Sequence, residues 1–228
     1  MSLPRKVPLV TGEIYHIFNR GIDGRVTFAN TNEYLRAYQI MKYYRFSSPL
    51  LKLSKFLKVS DSKRLKLQET YQGQKLISII SYCLMPNHFH LLVQQEVDRG
   101  ISKFLSQFQN SYTRYFNTKN ERVGQLFLDN FKNVLVEGEE QFLHLSRYIH
   151  LNPYSSSVVS SLEDLYKYEW SSLGEYLGES DDFICDKELI QSQFKKKESY
   201  KNFISNQAEY QKELKTIENL LIDECPTY

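Results

Sequence analysis

The chain is expected to fold as an α+β protein, with a ferredoxin-like antiparallel sheet, helices on one face, and a small helical C-terminal extension. Three features of its 228 residues predict this. Strand-like and helix-like segments follow one another in the order β-α-β-β-α-β-α, two β-α-β halves joined end to end. Aromatics make up 14% of the chain, with 17 Tyr and 14 Phe, so it can bury a core and global disorder is not expected. After about residue 155 only a Ser-rich loop and helical patterns remain. The expected division is therefore residues 1–155 and 156–228. No internal repeat is visible.

Each element has its own signal. GEIYHIF, 12–18, alternates loosely and reads as a strand. NRGIDGRVTF follows as a loop with two glycines. A capping residue opens a helix over 30–46, where Leu35, Tyr38, Ile40 and Met41 give an apolar face. Between Lys42 and Lys75 there are nine Lys/Arg and two acids. Residues 47–76 are thus an excursion, or a flexible basic loop that touches nucleic acid. KLISIISYCLM is β-rich and apolar and predicts a buried strand. Pro86-Asn87 turns the chain, and HFHLLVQQ runs back as a second strand. In 98–120, Ile101, Phe104, Leu105, Phe108, Tyr112, Tyr115 and Phe116 recur at the helical period. FKNVLVE, 131–137, predicts a strand. The helix at 139–152 is expected to stop at Pro153. The remainder contains a loop with LYKYEWSSLGEYLG, then helices holding ELIQSQF and SYKNFISNQAEYQKELKTIENLLIDE.

Composition narrows the setting. No apolar run approaches 18 residues, so no membrane span is expected. The N-terminal MSLPRKVPLV lacks the long apolar stretch of a signal peptide. Cys83, Cys185 and Cys225 are odd in number and far apart, which excludes a disulfide framework and a CxxC zinc site; a reducing cytoplasm fits. The net charge of +2 hides an asymmetry: residues 1–160 carry 21 basic and 12 acidic side chains, residues 161–228 carry 8 and 15. A basic body suggests a polyanionic partner, with an acidic subdomain beside or against it. Two ordinary solvated surfaces are the plainer reading.

His88 and His90 are one residue apart in an apolar strand, so their side chains share a face while Phe89 points to the other. Two imidazoles so placed suit one metal ion; two polar residues on an exposed sheet face are the alternative. On the 139–152 helix, Tyr148 and Asn152 share a face at i and i+4, and His144 continues it one turn earlier. A hydroxyl, an amide oxygen and two imidazoles converge if that helix packs beside the histidine strand. Spacing alone equally allows a core tyrosine and a helix-end asparagine.

YHIFNRG, LMPNHFHLLV, SYTRYFN, GQLFLDNFKNVLVE, YIHLNP and WSSLGEYLG occur in that order. Together, over roughly residues 12–178, they resemble the single-tyrosine HUH transposases, and in particular the REP-associated tyrosine transposase branch. His88-Phe89-His90 satisfies the His-hydrophobe-His signature. The resemblance implies a metal-dependent DNA strand transferase on a ferredoxin-like sheet. It implies Tyr148 as nucleophile, His88 and His90 holding Mg²⁺ or Mn²⁺, and Asn152 completing the metal site. It departs in two places. YSSSVV follows the Asn-Pro where the family often has a Val-basic-x-Gly run. Phe127 and Asn130-Phe131-Lys132 stand where a Trp and an Arg-Phe-Lys are common, so Lys132 matches and the arginine does not.

The implied chemistry is cleavage and rejoining of single-stranded or hairpin DNA through a 5′-phosphotyrosine. A tyrosine hydroxyl ionises near about pH 10, so a cation that polarises the phosphate is needed at neutral pH. Arg20 and Arg25 in the glycine loop, Arg114 and Lys119 on the second helix, and Lys132 are the candidate phosphate contacts. Relatives of this kind act as monomers or as homodimers that exchange the tyrosine helix, and both are open here. Two other readings stand beside this one. One is a nucleic-acid-binding module of the same fold without catalysis. The other is a water-using metal phosphohydrolase, which calls for carboxylate ligands that the His-x-His neighbourhood lacks.

Overall fold

The structure, a computed structural model, describes residues 8–223 apart from positions 48, 71, 72, 181 and 195; the side chains of 68–70 and 216–223 and the whole of Cys225 fall outside that description. The strands are β1 (Ile14–Arg20), β2 (Ile77–Met85), β3 (His88–Gln95) and β4 (Lys132–Leu135). They form one sheet in the order β2-β3-β1-β4, with every pairing antiparallel. α1 (Thr31–Tyr44) and α4 (Gly100–Lys119) are the helices of the two β-α-β halves. The α+β, ferredoxin-like sheet is therefore what the chain forms.

α1 and α4 share one face, as expected. Phe89, Leu91 and Val93 of β3 pack there with Ile40, Met41, Phe104, Phe108 and Tyr112. α1 starts where Asn30 accepts from the Glu33 N–H and the Glu33 carboxylate accepts from Ala29 N–H, a reciprocal cap. Its buried stripe is Tyr34, Ala37, Ile40 and Met41. Leu35, assigned to that face from sequence, is 43% exposed. It sits one position, about 100°, from the stripe's first residue.

The segment between α1 and β2 is an excursion with two short helices, α2 (Leu53–Phe56) and α3 (Asp61–Thr70). Leu53 and Phe56 are buried in the core, and Leu76 N–H donates to Arg45 O, which closes the base. The Pro86-Asn87 turn is gripped from the glycine loop: Thr27 and Phe28 N–H donate to Pro86 O, and Gly21 N–H to Asn87 O. A Cβ on Gly21 would lie 2.4 Å from the Arg25 carbonyl oxygen, so that position requires glycine.

α5 (Glu139–Ser155) lies on the second face of the sheet with α6 (Leu162–Tyr166), α7 (Leu173–Leu177), α8 (Glu188–Gln191), α9 (Lys197–Ser205) and α10 (Ala208–Asp223). α6 and α7 fall where a loop was expected; five residues are too few to show a helical period. Pro153 does not stop α5, which runs on to Ser155. A proline this near the helix end removes one backbone donor, and the last turn still closes through Ser156 N–H to Asn152 O.

The extension also seals the outer edge of β2. Leu84 N–H donates to Trp170 O, Ser172 N–H to Tyr82 O, and Asp186 N–H to Ile79 O. Its acids meet the basic body, with Asp182 paired to Lys42 and Asp186 to Lys75. The acidic part thus lies against the basic part. Cys83 and Cys185 are free thiols. No helix among the described residues is long and apolar enough to cross a membrane.

Candidate active site

The sheet register fixes the histidine face. His90 pairs with Phe18 of β1 and Cys83 of β2; His88 pairs with Arg20 and Met85. Directly paired residues point the same way, so His88 and His90 share the face covered by α5. Their rings stand edge to face at 5.0 Å. Phe89 points into the opposite core, packed edge-on against Phe108.

α5 brings its own residues to that face. The Tyr148 ring lies 5.6 Å from His90, nearly perpendicular to it. Asn152 is fully buried and close enough to His88 to favour its protonated form. The face-sharing seen in the sequence for Tyr148 and Asn152 is thus realised beside the histidine pair. His144 does not join them: it is exposed, hydrogen-bonded to Arg147 and near Glu140. α10 holds the tyrosine turn from outside, with Gln211 Nε2 donating to Tyr148 O at 3.1 Å and Tyr154 Oη donating to Glu209.

His16 is the residue that sequence reasoning missed. It lies on β1, 6% exposed, with Nε2 3.0 Å from His90 Nδ1 and its ring edge-on to Tyr148 at 6.0 Å. Its place in YHIFNRG was the available signal. A lone histidine on a strand says nothing of what lies across the sheet.

Electrostatics keeps all three imidazoles neutral. Burial pushes His16 down to about 4. Burial, then the Lys215 charge and more weakly Arg20, push His88 down to about 4 against the opposing influence of the Asn152 side chain. His90 is held well below the usual range by burial and then by His16, His88 and Lys215. Neutral imidazoles keep a lone pair for a cation.

The donor set fits a divalent cation. His88 Nδ1 is bonded to Asn87 Oδ1 at 2.6 Å and His90 Nδ1 to His16 Nε2, so each Nε2 is the ring nitrogen that could face a cation, with Asn152 on the neighbouring helix. No group of three or more His, Cys, Asp or Glu among the described residues forms a metal cluster. Among the described residues the candidate donors here are two imidazoles and the Asn152 amide, and His16 turns its Nε2 to His90.

The basic candidates divide between the two faces. Arg20 pairs with His88 and Lys132 with Phe18, so both flank the histidines, and both are exposed. Arg25 is exposed in the glycine loop. Arg114 and Lys119 lie across the sheet, lining a groove of about 860 Å³ with Arg36, Lys52, Tyr44 and Tyr115. Lys119 is paired there with the buried Glu33 at 2.7 Å.

Residues 54–152 match the family described as IS200-like transposase. That segment contains His88, His90, Tyr148 and Asn152 and leaves β1 outside. No curated protein is significantly similar in sequence. Among solved structures the chain is similar to a REP-associated tyrosine transposase bound to a REP hairpin. The TM-score is 0.52 at 13% identity, over 81% of this chain and 90% of that one. At that identity the likeness is one of fold.

Proposed function

We propose, from the match of residues 54–152 to the IS200-like transposase family, that this chain is a transposase of that kind and that it cleaves and rejoins single-stranded DNA through a phosphotyrosine at Tyr148. The observation that carries the reading is convergence within one chain. Tyr148 packs against His90, and Asn152, one turn later on the same helix, is buried close enough to His88 to favour its protonated form. The convergence within one chain supports a monomer, and a homodimer that exchanges α5 is the other form the sequence allows.

The reaction follows from these groups. Tyr148 Oη attacks phosphorus in line, a P–O bond to tyrosine forms and the P–O3′ bond breaks. The strand keeps its 5′-phosphate on the protein, the phenolic proton is lost to solvent, and the departing O3′ takes up a proton from solvent to become the free 3′-OH. A second strand's 3′-OH then attacks the phosphotyrosine and releases Tyr148, so the bond energy is conserved. His88, His90 and Asn152 would hold a divalent ion such as Mg²⁺ or Mn²⁺, which would supply Lewis-acid polarisation of the phosphate. α5 contributes rigidity, since a nucleophile needs a fixed near-attack position. Arg20 and Lys132 hold the flanking phosphates on the same face. Arg25 and Arg114 bind more distant ones, while Lys119, proposed from sequence for the same role, is paired with Glu33.

Single-stranded or hairpin DNA is the substrate class, since a duplex resists bringing one phosphate in line. The neighbour of like fold holds a REP hairpin. Residues 1–155 form the catalytic domain in this reading, and 156–228 the extension that braces α5.

The test is incubation with labelled hairpin substrates and Mn²⁺, followed by a denaturing gel. Wild type should give a covalent protein–DNA band. Tyr148→Phe keeps the ring and its packing, and should bind DNA and metal but give no band. An equal band from Tyr148→Phe would assign the chemistry elsewhere. DNA binding without any adduct in wild type would leave a binding module.

A further inference from the structure

We infer that His16 is a positioning residue for metal ligation: it fixes the proton of His90 on Nδ1 and so leaves His90 Nε2 able to bind a cation. The inference rests on the reading of His88 and His90 as cation ligands.

The geometry is that of a relay across two strands. His16 pairs with Leu92 and Phe18 with His90, so His16 is the diagonal neighbour of His90 on the same face. The two rings lie near parallel, centroids 5.2 Å apart and planes 23° apart, with Nε2 of one 3.0 Å from Nδ1 of the other. Both are 6% exposed, so water does not compete freely for that bond. Phe18 and Tyr148 pack against the His16 ring at 5.1 and 6.0 Å and hold it in place.

One proton fits between those two nitrogens. If His16 Nε2 carries it, the neutral His90 keeps its own proton on Nε2 and cannot ligate. If His90 Nδ1 carries it, His90 Nε2 bears a lone pair, and His16 holds its proton on Nδ1. His88 meets the same need differently. Its Nδ1 faces the Asn87 side-chain oxygen at 2.6 Å, an atom that can only accept. His90 has no such fixed acceptor among the described residues. Its one hydrogen-bond partner is another histidine, so the state of His16 governs whether His90 is a ligand.

Two variants separate this role from packing. His16→Phe keeps an aromatic ring and removes the acceptor. His16→Gln keeps an amide oxygen able to accept from His90 Nδ1–H. Calorimetric titration of the full chain with Mn²⁺ should show about 10- to 100-fold weaker binding for His16→Phe and near-wild-type binding for His16→Gln. Nitrogen-15 NMR of the histidine rings, without metal and with Mg²⁺, should find the His90 proton on Nδ1 in wild type. His16→Phe binding Mn²⁺ as tightly as wild type would overturn the positioning role while the metal site stands. So would a His90 proton found on Nε2 with Mg²⁺ bound. If wild type binds no divalent cation, the ligand reading fails and this role with it. Should His16→Phe not fold, the wild-type tautomer and the His16→Gln affinity decide.

Discussion

Asn152 is held at both ends of its amide. Its Nδ2 donates to Tyr148 O at 3.4 Å, and Ser156 Oγ donates to its Oδ1 at 3.5 Å. Replacing it by alanine removes the proposed ligand without touching the sheet. Asn152→Ala should weaken Mn²⁺ binding about tenfold, the cost of one hydrogen bond or contact to a charged group, with the far-ultraviolet circular dichroism unchanged. Unaltered affinity in a folded variant would take Asn152 out of the ligand set. The pairs His88 with His90 and Tyr148 with Asn152 were legible because strand and helix periods fix them locally. His16 was not, because its contact spans 74 residues of sequence. His144 shares the helical face of Tyr148 yet turns to solvent, where Arg147 and Glu140 hold it. A shared face defines a direction, and the neighbours of each side chain decide where it ends.

The α5 helix is clamped on its far side by His150. That ring bonds Tyr200 Oη through Nδ1 and Ser172 Oγ through Nε2, both at 2.7 Å, and joins α5 to α7 and α9. A serine beside a histidine suggests a hydrolase, but both side chains are wholly buried and no substrate reaches them. Burial pushes His150 down to about 3. An unfolded histidine titrates near about 6.5, so between those values the unfolded chain binds a proton that the folded chain does not. Stability should therefore be complete above about pH 6.5 and fall as the pH drops toward 3. Urea melts at several pH values check this. His150→Gln should be less stable than wild type at pH 7.5 and lose less of its stability between pH 6.5 and 4. Parallel curves would remove His150 from the acid response. At this scale, the long elements were legible from their periods. The end of α5 was not, because a proline near a helix end removes a single donor and tertiary packing outweighs it.

Over the whole molecule, positive charge gathers on two opposite faces. Arg20 and Lys132 flank the histidines, and Arg36, Lys52 and Arg114 line the groove beside α4. Affinity for a DNA hairpin should fall linearly with salt on a double-logarithmic plot. If the groove takes a single strand, Arg114→Ala should reduce that slope by about 0.7 and leave cleavage of bound DNA unchanged. Salt-independent binding would exclude phosphate contacts, and an unchanged slope would exclude the groove. The charge asymmetry was plain in the sequence, but its placement was not. Lys119 belongs to the basic half, yet Glu33 holds it. Lys215 belongs to the acidic half, yet its charge acts on His88 and His90. The sealed edge of β2 has a consequence for biosynthesis. Chains leave the ribosome N-terminus first, at about 5–20 residues per second. β2 is complete at Met85, but its outer backbone groups find partners only when Trp170, Ser172 and Asp186 emerge. For a period on the order of 10 s the nascent sheet offers an open edge to other strands, and a growing chain on the same message carries a matching one. Polysome crowding, and the chaperones that shield emerging chains, therefore bear on how much of this protein reaches its folded state.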